Sequence, residues 1–367
     1  MDNRFAFLIH PIDVNDMARK FKFLQKMPES WVENGIKYLP PIKVSEITGV
    51  ESSYNKAEGN FVACTLTSRQ ITTLPPDFVL RKIIKAGKLA EKMGAKIVGL
   101  GAMTSVVGDA GLTISKNLNI PVTTGNSYTV ASAIEGTKKA AKLMGHSLDS
   151  CEVTIIGATG SIGAVTSRIL SREVRSLNLI ARNQRRLERL AKIIMQETGT
   201  PIKIPTTPKE GIKKADIIIS VSGSVDCVIS PEDIKPGAVV CDVARPRDVS
   251  QKVQKLRNDV FVFEGGLIKV PGDVNFNFNF GFPPKTAYAC MAETMILALE
   301  NKFEPYTLGR ELTVNQVDEI QMLSRKHGFT LGGFRSFERA VDEKEIERIK
   351  RNVLINSLNL KKSAAKV

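Results

Sequence analysis

The stretch Glu152–Leu170, EVTIIGATGSIGAVTSRIL, constrains this chain more than any other. An apolar, β-branched run (Val153–Ile156) meets a glycine turn (Gly157, Gly160, Gly163), and a helical pattern follows at once. A strand buried on both faces, entering a helix through glycines, is the opening unit of a parallel sheet. The next segments repeat the alternation: SLNLIARNQRRLERLAKII is a strand and a helix, and ADIIISVSGS, GAVVCDVARP and VFVFEGG are further strands. Alternating strands and helices predict a Rossmann-like, doubly wound α/β sheet.

The chain has 367 residues, a length that suits two domains. Residues 1–147 read as an N-terminal α/β domain for substrate. It opens with a strand (Phe5–Ile9) and a helical pattern through Met17, Phe21 and Leu24. Leu80–Met93 reads as a helix ended by Gly94, and Lys96–Gly101 as a strand. The loops GAMTSVVGDAG and NIPVTTGNSYT follow, and then a connecting helix. Residues 148–284 make the doubly wound domain. Residues 285–335 are mostly helical and return to the first domain. Residues 336–367 are dense in charge and read as a solvated helix or a mobile tail.

The glycine turn has the form that lets backbone approach a pyrophosphate, whose charge is stabilised by the helix N-terminus. Gly157, Thr159, Gly160, Ser161, Ile162 and Gly163 are therefore candidate contacts to a dinucleotide. The second strand ends in Ala181, Arg182 and Asn183, with Arg185 and Arg186 close behind and no carboxylate for a ribose hydroxyl. Guanidinium groups suit a 2′-phosphate, so the expected cofactor is NADPH rather than NADH. Arg185 and Arg189 also read as an exposed helix face. Ser220, Ser222 and Gly223 end the third strand, where the nicotinamide half would pass.

FPPKTAYACMAET, residues 282–294, holds Cys290 near the start of a helix. Residue type leaves two roles open. Cysteine packs well in cores. At a helix N-terminus its thiolate is favoured, and beside a hydride donor it can carry an acyl group from a thioester. Lys285 would add positive charge. Upstream, VNFNFNFGF would form a strand with Phe276, Phe278, Phe280 and Phe282 on one face and Asn275, Asn277 and Asn279 on the other. Those rings could pack in a core or line an apolar channel. His10 and His327 are lone histidines that could act as acid or base.

The five cysteines (Cys64, Cys151, Cys227, Cys241, Cys290) are scattered without CxxC spacing, which argues against disulfides and zinc and suits a reducing, cytoplasmic setting. No metal site is expected. The balance of 52 Lys+Arg against 38 Asp+Glu, a formal +14, favours an acidic partner. With 1 Trp and 5 Tyr and no recognisable module, nucleic acid is not expected. No leader-like N-terminus or apolar run of membrane-span length is read.

Taken in order, LGAMTS, TTGNSYT, GATGSIG, ARNQRRLE, the Gly265-Gly266 pair, YACMAETMI and RKHGF resemble the cyanobacterial-type long-chain acyl-[acyl-carrier-protein] reductases over residues 5–330. The resemblance implies an NADPH enzyme that reduces a fatty acyl thioester, on acyl carrier protein or coenzyme A, to a fatty aldehyde. It assigns the acyl-enzyme thiol to Cys290 and the dinucleotide turn to Gly157, Gly160 and Gly163. It makes Thr124, Asn126 and Tyr128 candidates for holding the thioester carbonyl. An aldehyde-consuming enzyme and transient membrane contact are implied partners of such a product. The chain departs from the family in VPGDVNFNFNFGFPP and after residue 335. Two alternatives remain: a shikimate-dehydrogenase-like NADPH ketone reductase without a covalent intermediate, and a non-catalytic NADPH-binding sensor.

Overall fold

The computed structural model describes residues 3–14, 16, 26–222, 228–244 and 247–364, with residues 357–364 described by backbone alone. The helical pattern expected through Met17, Phe21 and Leu24, and the calls on Gly223 and Cys227, lie outside the described residues. The chain divides into two compact units. Unit 1 is Met1–Tyr128, Ile268–Leu312 and Asp318–Thr330; unit 2 is Thr129–Leu267, Thr313–Val317 and Leu331–Val367. The first division precedes the sequence-based boundary at 147 because it falls within the long helix Asn126–Met144. The second falls at 267 rather than 284, so the Asn/Phe run belongs with unit 1.

Unit 1 is built on a five-stranded sheet of β1 (Arg4–Ile9), β2 (Ile42–Glu51), β3 (Lys56–Ala63), β4 (Ile97–Leu100) and β5 (Val122–Thr123), ordered β2-β3-β1-β4-β5. All neighbours are parallel except β2 and β3, a hairpin closed between Ser52 and Asn55. Phe5, Ala6, Phe7 and Leu8 are all buried, as a central parallel strand requires. Successive side chains point to opposite faces, which sorts the packing. Ala6, Leu8, Val62, Val98 and Leu100 meet Val79, Ile83, Ala86 and Ala90 of helix Pro76–Lys92. On the other face Gly99 receives helix Ala289–Glu300. A Cβ on Gly99 would lie 2.0 Å from Thr294 Oγ1. Met295, Ile296 and Leu297 of that helix are fully buried, each contributing about 1.5–3 kcal/mol of hydrophobic stabilisation. This helix is thus core as well as carrier of Cys290.

The run Val274–Phe282 is not a strand. Asn275 makes a single bridge to Thr48, Asn277 takes φ +47°, and Asn side chains close local turns instead of facing a sheet. Asn275 Oδ1 accepts from Asn277 N–H (2.9 Å) and Asn279 Oδ1 from Gly281 N–H (2.8 Å). Asparagine offers the backbone this alternative to a ladder, and here the alternative wins. The phenylalanines still share one side.

Unit 2 carries a six-stranded sheet of β6 (Glu152–Ile156), β7 (Ser176–Ile180), β8 (Ile202–Lys203), β9 (Ile217–Ser220), β10 (Val239–Asp242) and β11 (Phe261–Glu264). The strands are parallel and ordered β11-β10-β9-β6-β7-β8. Counted from β6, this is the 3-2-1-4-5-6 order of a dinucleotide-binding Rossmann sheet. The order reverses between β6 and β9.

Residues 334–364 form a hairpin and a helix, so of the two readings of this charged segment the helix is the one seen. A hairpin (Phe334–Ser336 with Arg339–Val341) places the Phe334 ring edge-on to Phe261 (5.2 Å) and Phe263 (5.1 Å). Helix Glu343–Ala364 then buries Ile346 and Ile349 while Glu343, Lys344, Glu347, Arg348 and Arg351 are exposed. Isoleucines three residues apart supply the inward stripe that the charge density obscures.

Candidate functional site

Helix Ala289–Glu300 starts later than its prolines suggest. Thr286–Tyr288 is extended, and Tyr288 is an N-cap whose side chain makes no capping bond. Cys290 is the second helical residue, so it lies in the first turn as expected. Lys285 does not face it; Lys285 Nζ pairs with Asp273 at 2.8 Å.

Of the two roles left open by residue type, the surroundings at rest favour the protonated thiol over a thiolate. Cys290 is partly exposed, but burial of its sulfur pushes its pKa from 9.0 up to about 12, and the charge of Glu293 adds to the rise. The backbone amides of Met291, Cys290 and Ala102 oppose this by donating toward sulfur. Desolvation outweighs the helix terminus. Ala102 reaches this position with φ +46°, a left-handed conformation unusual for alanine.

The TTGNSYT segment meets Cys290 through Gly125. A Cβ built on Gly125 would fall 2.3 Å from both Cα and Cβ of Cys290, and Gly125 has φ +76°. Only glycine satisfies both conditions. Asn126 follows as the first residue of its helix, half-exposed, and its side-chain amide makes no hydrogen bond among the described residues. Thr124 and Tyr128 are buried. The Thr124 hydroxyl donates to Thr307 O (2.6 Å), and Tyr128 N–H donates to Glu293 Oε2 (2.9 Å). The structure therefore brings Asn126 beside the thiol's neighbour, while the Thr124 hydroxyl proton is committed to the backbone.

Glu293, one turn beyond Cys290 and fully buried, was missed by the sequence reading. Its signal was a lone charge in an otherwise apolar helix, ACMAETMILAL.

The rings of the Asn/Phe run lead toward Cys290. Phe61 packs with Phe276 (6.0 Å), Phe278 (6.2 Å) and Phe280 (5.9 Å); Phe280 meets Phe282 (5.3 Å), and Phe282 meets Tyr288 (4.4 Å). Phe276 is buried, whereas Phe278 is 38% exposed and Phe280, Phe282 and Tyr288 are half-exposed. A continuous, partly exposed aromatic face suits a flexible apolar ligand.

In unit 2 the glycine turn lies where the strand order reverses. Gly157 has φ +84°, and a Cβ there would lie 2.8 Å from Val221 C and O. A Cβ on Gly163 would lie 2.3 Å from Gly157 O, so the helix packs tightly on the turn. Gly160 is an N-cap without a side-chain cap bond, leaving first-turn amides for an anion. Thr159, Ser161 and Ile162 are partly exposed on this turn. Past β7, Ala181 is half-buried and Arg182 exposed. Asn183 caps helix Gln184–Thr198 by accepting from Arg186 N–H (3.0 Å). The guanidiniums of Arg182, Arg185 and Arg186 make no ion pair among the described residues. At the end of β9, Asp248, also missed by the sequence reading, accepts from Ser220 Oγ (2.5 Å), Ser222 Oγ (2.6 Å) and Ser222 N–H (3.0 Å). Ser222 thus stands at the strand end, braced by a fully buried carboxylate. An open glycine cradle, uncapped amides and unpaired cations fit an NAD(P) dinucleotide.

The remaining candidates have local partners. His10 Nδ1 lies 3.0 Å from Pro11 O and Nε2 accepts from Met103 N–H (3.3 Å), and burial lowers its pKa. His327 lies between Ser52 Oγ (3.0 Å) and Glu300 Oε2 (2.8 Å). Cys64, Cys151 and Cys241 are buried free thiols. Among the described residues no group of three His, Cys, Asp or Glu is placed to hold a metal ion, and no helix is long and apolar enough to cross a membrane.

A family model described as shikimate / quinate 5-dehydrogenase matches residues 138–264, which contain the six strands of this sheet. Residues 138–264 are thus similar to the NAD(P)-binding domain of shikimate-type dehydrogenases. The chain is also 27% identical over 365 residues to the aminotransferase PigE of a Serratia species, covering 95% of this chain and 42% of that protein. It thus spans less than half the length of that relative. It is also 27% identical over 332 residues to a long-chain acyl-[acyl-carrier-protein] reductase of Synechococcus elongatus, covering 86% of this chain and 94% of the relative. Among solved structures, quinate dehydrogenase from Corynebacterium glutamicum in complex with NAD aligns over 88% of this chain and 99% of its own, at 10% identity and a TM-score of 0.38.

Proposed function

We propose that the chain is an NADPH-dependent oxidoreductase that reduces a long-chain fatty acyl thioester, on acyl carrier protein or coenzyme A, to a fatty aldehyde through an acyl-Cys290 intermediate. The observation that carries this reading is the contact between Gly125 and Cys290, which brings the TTGNSYT turn to a thiol in the first turn of a helix. The Synechococcus relative, matched over 94% of its length, supports the substrate class. The unpaired arginines past β7 support NADPH, and the formal charge of +14 suits an acidic carrier.

Sγ of Cys290 attacks the thioester carbonyl carbon. The bond from that carbon to the carrier sulfur breaks, and the Cys290 proton leaves with the carrier thiol. The amides of Ala102, Cys290 and Met291 stabilise negative charge developing on Sγ, and Asn126 donates to the carbonyl oxygen. The aromatic face from Phe276 to Tyr288 holds the acyl chain. The bound dinucleotide supplies a hydride. Release of aldehyde breaks the bond to Sγ, which regains its proton from water.

Intact mass spectrometry with palmitoyl-coenzyme A or palmitoyl-acyl carrier protein, and no NADPH, tests the reading. An acyl adduct on Cys290, discharged as aldehyde on adding NADPH, is expected. Cys290→Ala should abolish aldehyde formation and keep NADPH binding. An adduct on Cys64, or none from either carrier, refutes the covalent route. Full aldehyde formation in Cys290→Ala would instead indicate direct hydride transfer to the thioester, and reduction of a ketone with no turnover of thioesters would indicate a ketone-reductase-like enzyme.

A further inference from the structure

The Glu293 carboxylate has no exposure and no cationic partner among the described residues, yet it accepts five hydrogen bonds. Oε1 accepts from Thr123 Oγ1 (2.5 Å), Thr307 Oγ1 (2.9 Å) and Gly125 N–H (3.2 Å). Oε2 accepts from Ser127 Oγ (2.6 Å) and Tyr128 N–H (2.9 Å). These donors span the end of β5, the Gly125 turn, the first turn of helix Asn126–Met144 and the Thr307 segment. Glu293 thereby serves as an N-terminal cap for that helix from outside it.

We propose that Glu293 is a positioning residue for the chemistry at Cys290, holding the Gly125–Asn126 turn at the separation from Sγ that an acyl carbonyl needs. The proposal rests on the thioester reading above. Its geometry is direct. Glu293 follows Cys290 by three residues on one rigid helix, and the turn it grips is the one that touches Cys290. Burying a carboxylate is costly unless its oxygens are satisfied, and five donors meet that demand. A glutamine has one acceptor oxygen and would aim N–H groups at some of the same donors, so the turn must shift. An aspartate is shorter by one methylene and cannot reach both Thr307 and Ser127 without drawing the helix with it. Mere filling of the site would be met by a neutral, apolar side chain at lower desolvation cost.

The test uses full-length protein with Glu293→Gln, Glu293→Asp and the milder pair Ser127→Ala and Thr307→Val. Two rates are read in each: acyl transfer from palmitoyl-coenzyme A to Cys290 in a single turnover, and alkylation of Cys290 by iodoacetamide between pH 7 and 10. Positioning predicts opposite signs in Glu293→Gln. Acyl transfer falls at least tenfold, while alkylation at a given pH is at least threefold faster because a nearby negative charge is gone. KM for NADPH stays within twofold. Acyl transfer within twofold of wild type overturns the proposal. If Glu293→Gln does not fold, Ser127→Ala and Thr307→Val decide: each should slow acyl transfer threefold or more at an unchanged melting temperature, and unchanged rates in both overturn it. If the wild-type protein forms no acyl adduct, the thioester reading fails separately. The alkylation arm then judges Glu293 alone, and an unchanged profile in Glu293→Gln overturns its role.

Discussion

Gly125 and Cys290 touch so closely that a methyl group on Gly125 would fall 2.3 Å from the cysteine backbone. This contact joins two segments far apart in sequence and defines the thiol's surroundings. Gly125→Ala must resolve both that clash and a positive φ. It should cost about 1–3 kcal/mol of stability and more than tenfold in acyl transfer. Thermal unfolding and adduct mass spectrometry measure the two effects, and NADPH binding should persist. Wild-type acyl transfer in Gly125→Ala would remove the contact from the site.

Cys290 should react slowly at rest. Its folded pKa of about 12 lies above the ordinary 9.0, so the thiol is protonated at neutral pH. Alkylation should climb about tenfold per unit from pH 7 toward pH 10, because thiolate is the reactive form. The same shift has a stability sign. The folded state holds this proton more tightly, so its contribution is complete below pH 9 and is lost as pH rises from about 9 to about 12. An alkylation plateau below pH 8 would contradict the burial.

Arg182 is exposed and without an ion pair among the described residues, beside the end of β7. Arg182→Ala should raise the NADPH KM by about 10- to 100-fold, the worth of a charge-assisted contact of about 1.5–3 kcal/mol. The NADH KM should change far less. Steady-state kinetics with both cofactors decide, and equal effects would end the 2′-phosphate assignment.

The aromatic face divides into supporting and ligand-facing rings. Phe276 is 8% exposed, so Phe276→Ala should lower stability by about 3–5 kcal/mol. Phe278→Ala and Phe282→Ala should leave the melting temperature nearly unchanged and shift the preferred acyl chain length, read as kcat/KM across C8 to C18 thioesters. An unchanged chain-length profile in both would assign the rings to packing alone.

The unit 2 sheet was legible in the order of residues alone. The apolar runs that became β6, β7, β9, β10 and β11, and the turn Gly157–Gly163 between β6 and its helix, were legible because a doubly covered parallel strand is written in consecutive residues. Helices Pro76–Lys92 and Gln184–Thr198 were legible from their local periodicity, whereas in Glu343–Ala364 the charge density hid the inward stripe. The two-residue β8 and the β2–β3 hairpin were not, since their pairing depends on distant partners. The Asn/Phe alternation looked like a strand, but side-chain turns at Asn275 and Asn279 competed successfully with a ladder. At the candidate site, the sequence located Cys290 at a helix start, and tertiary structure decided its state. Burial is a property of what packs around the sulfur, and it exceeds the pull of the helix amides. Gly125 and Glu293 acquire their roles only when the strand end, the turn and the Thr307 segment converge, because no local pattern records which backbone a glycine will touch or which donors a buried carboxylate will gather.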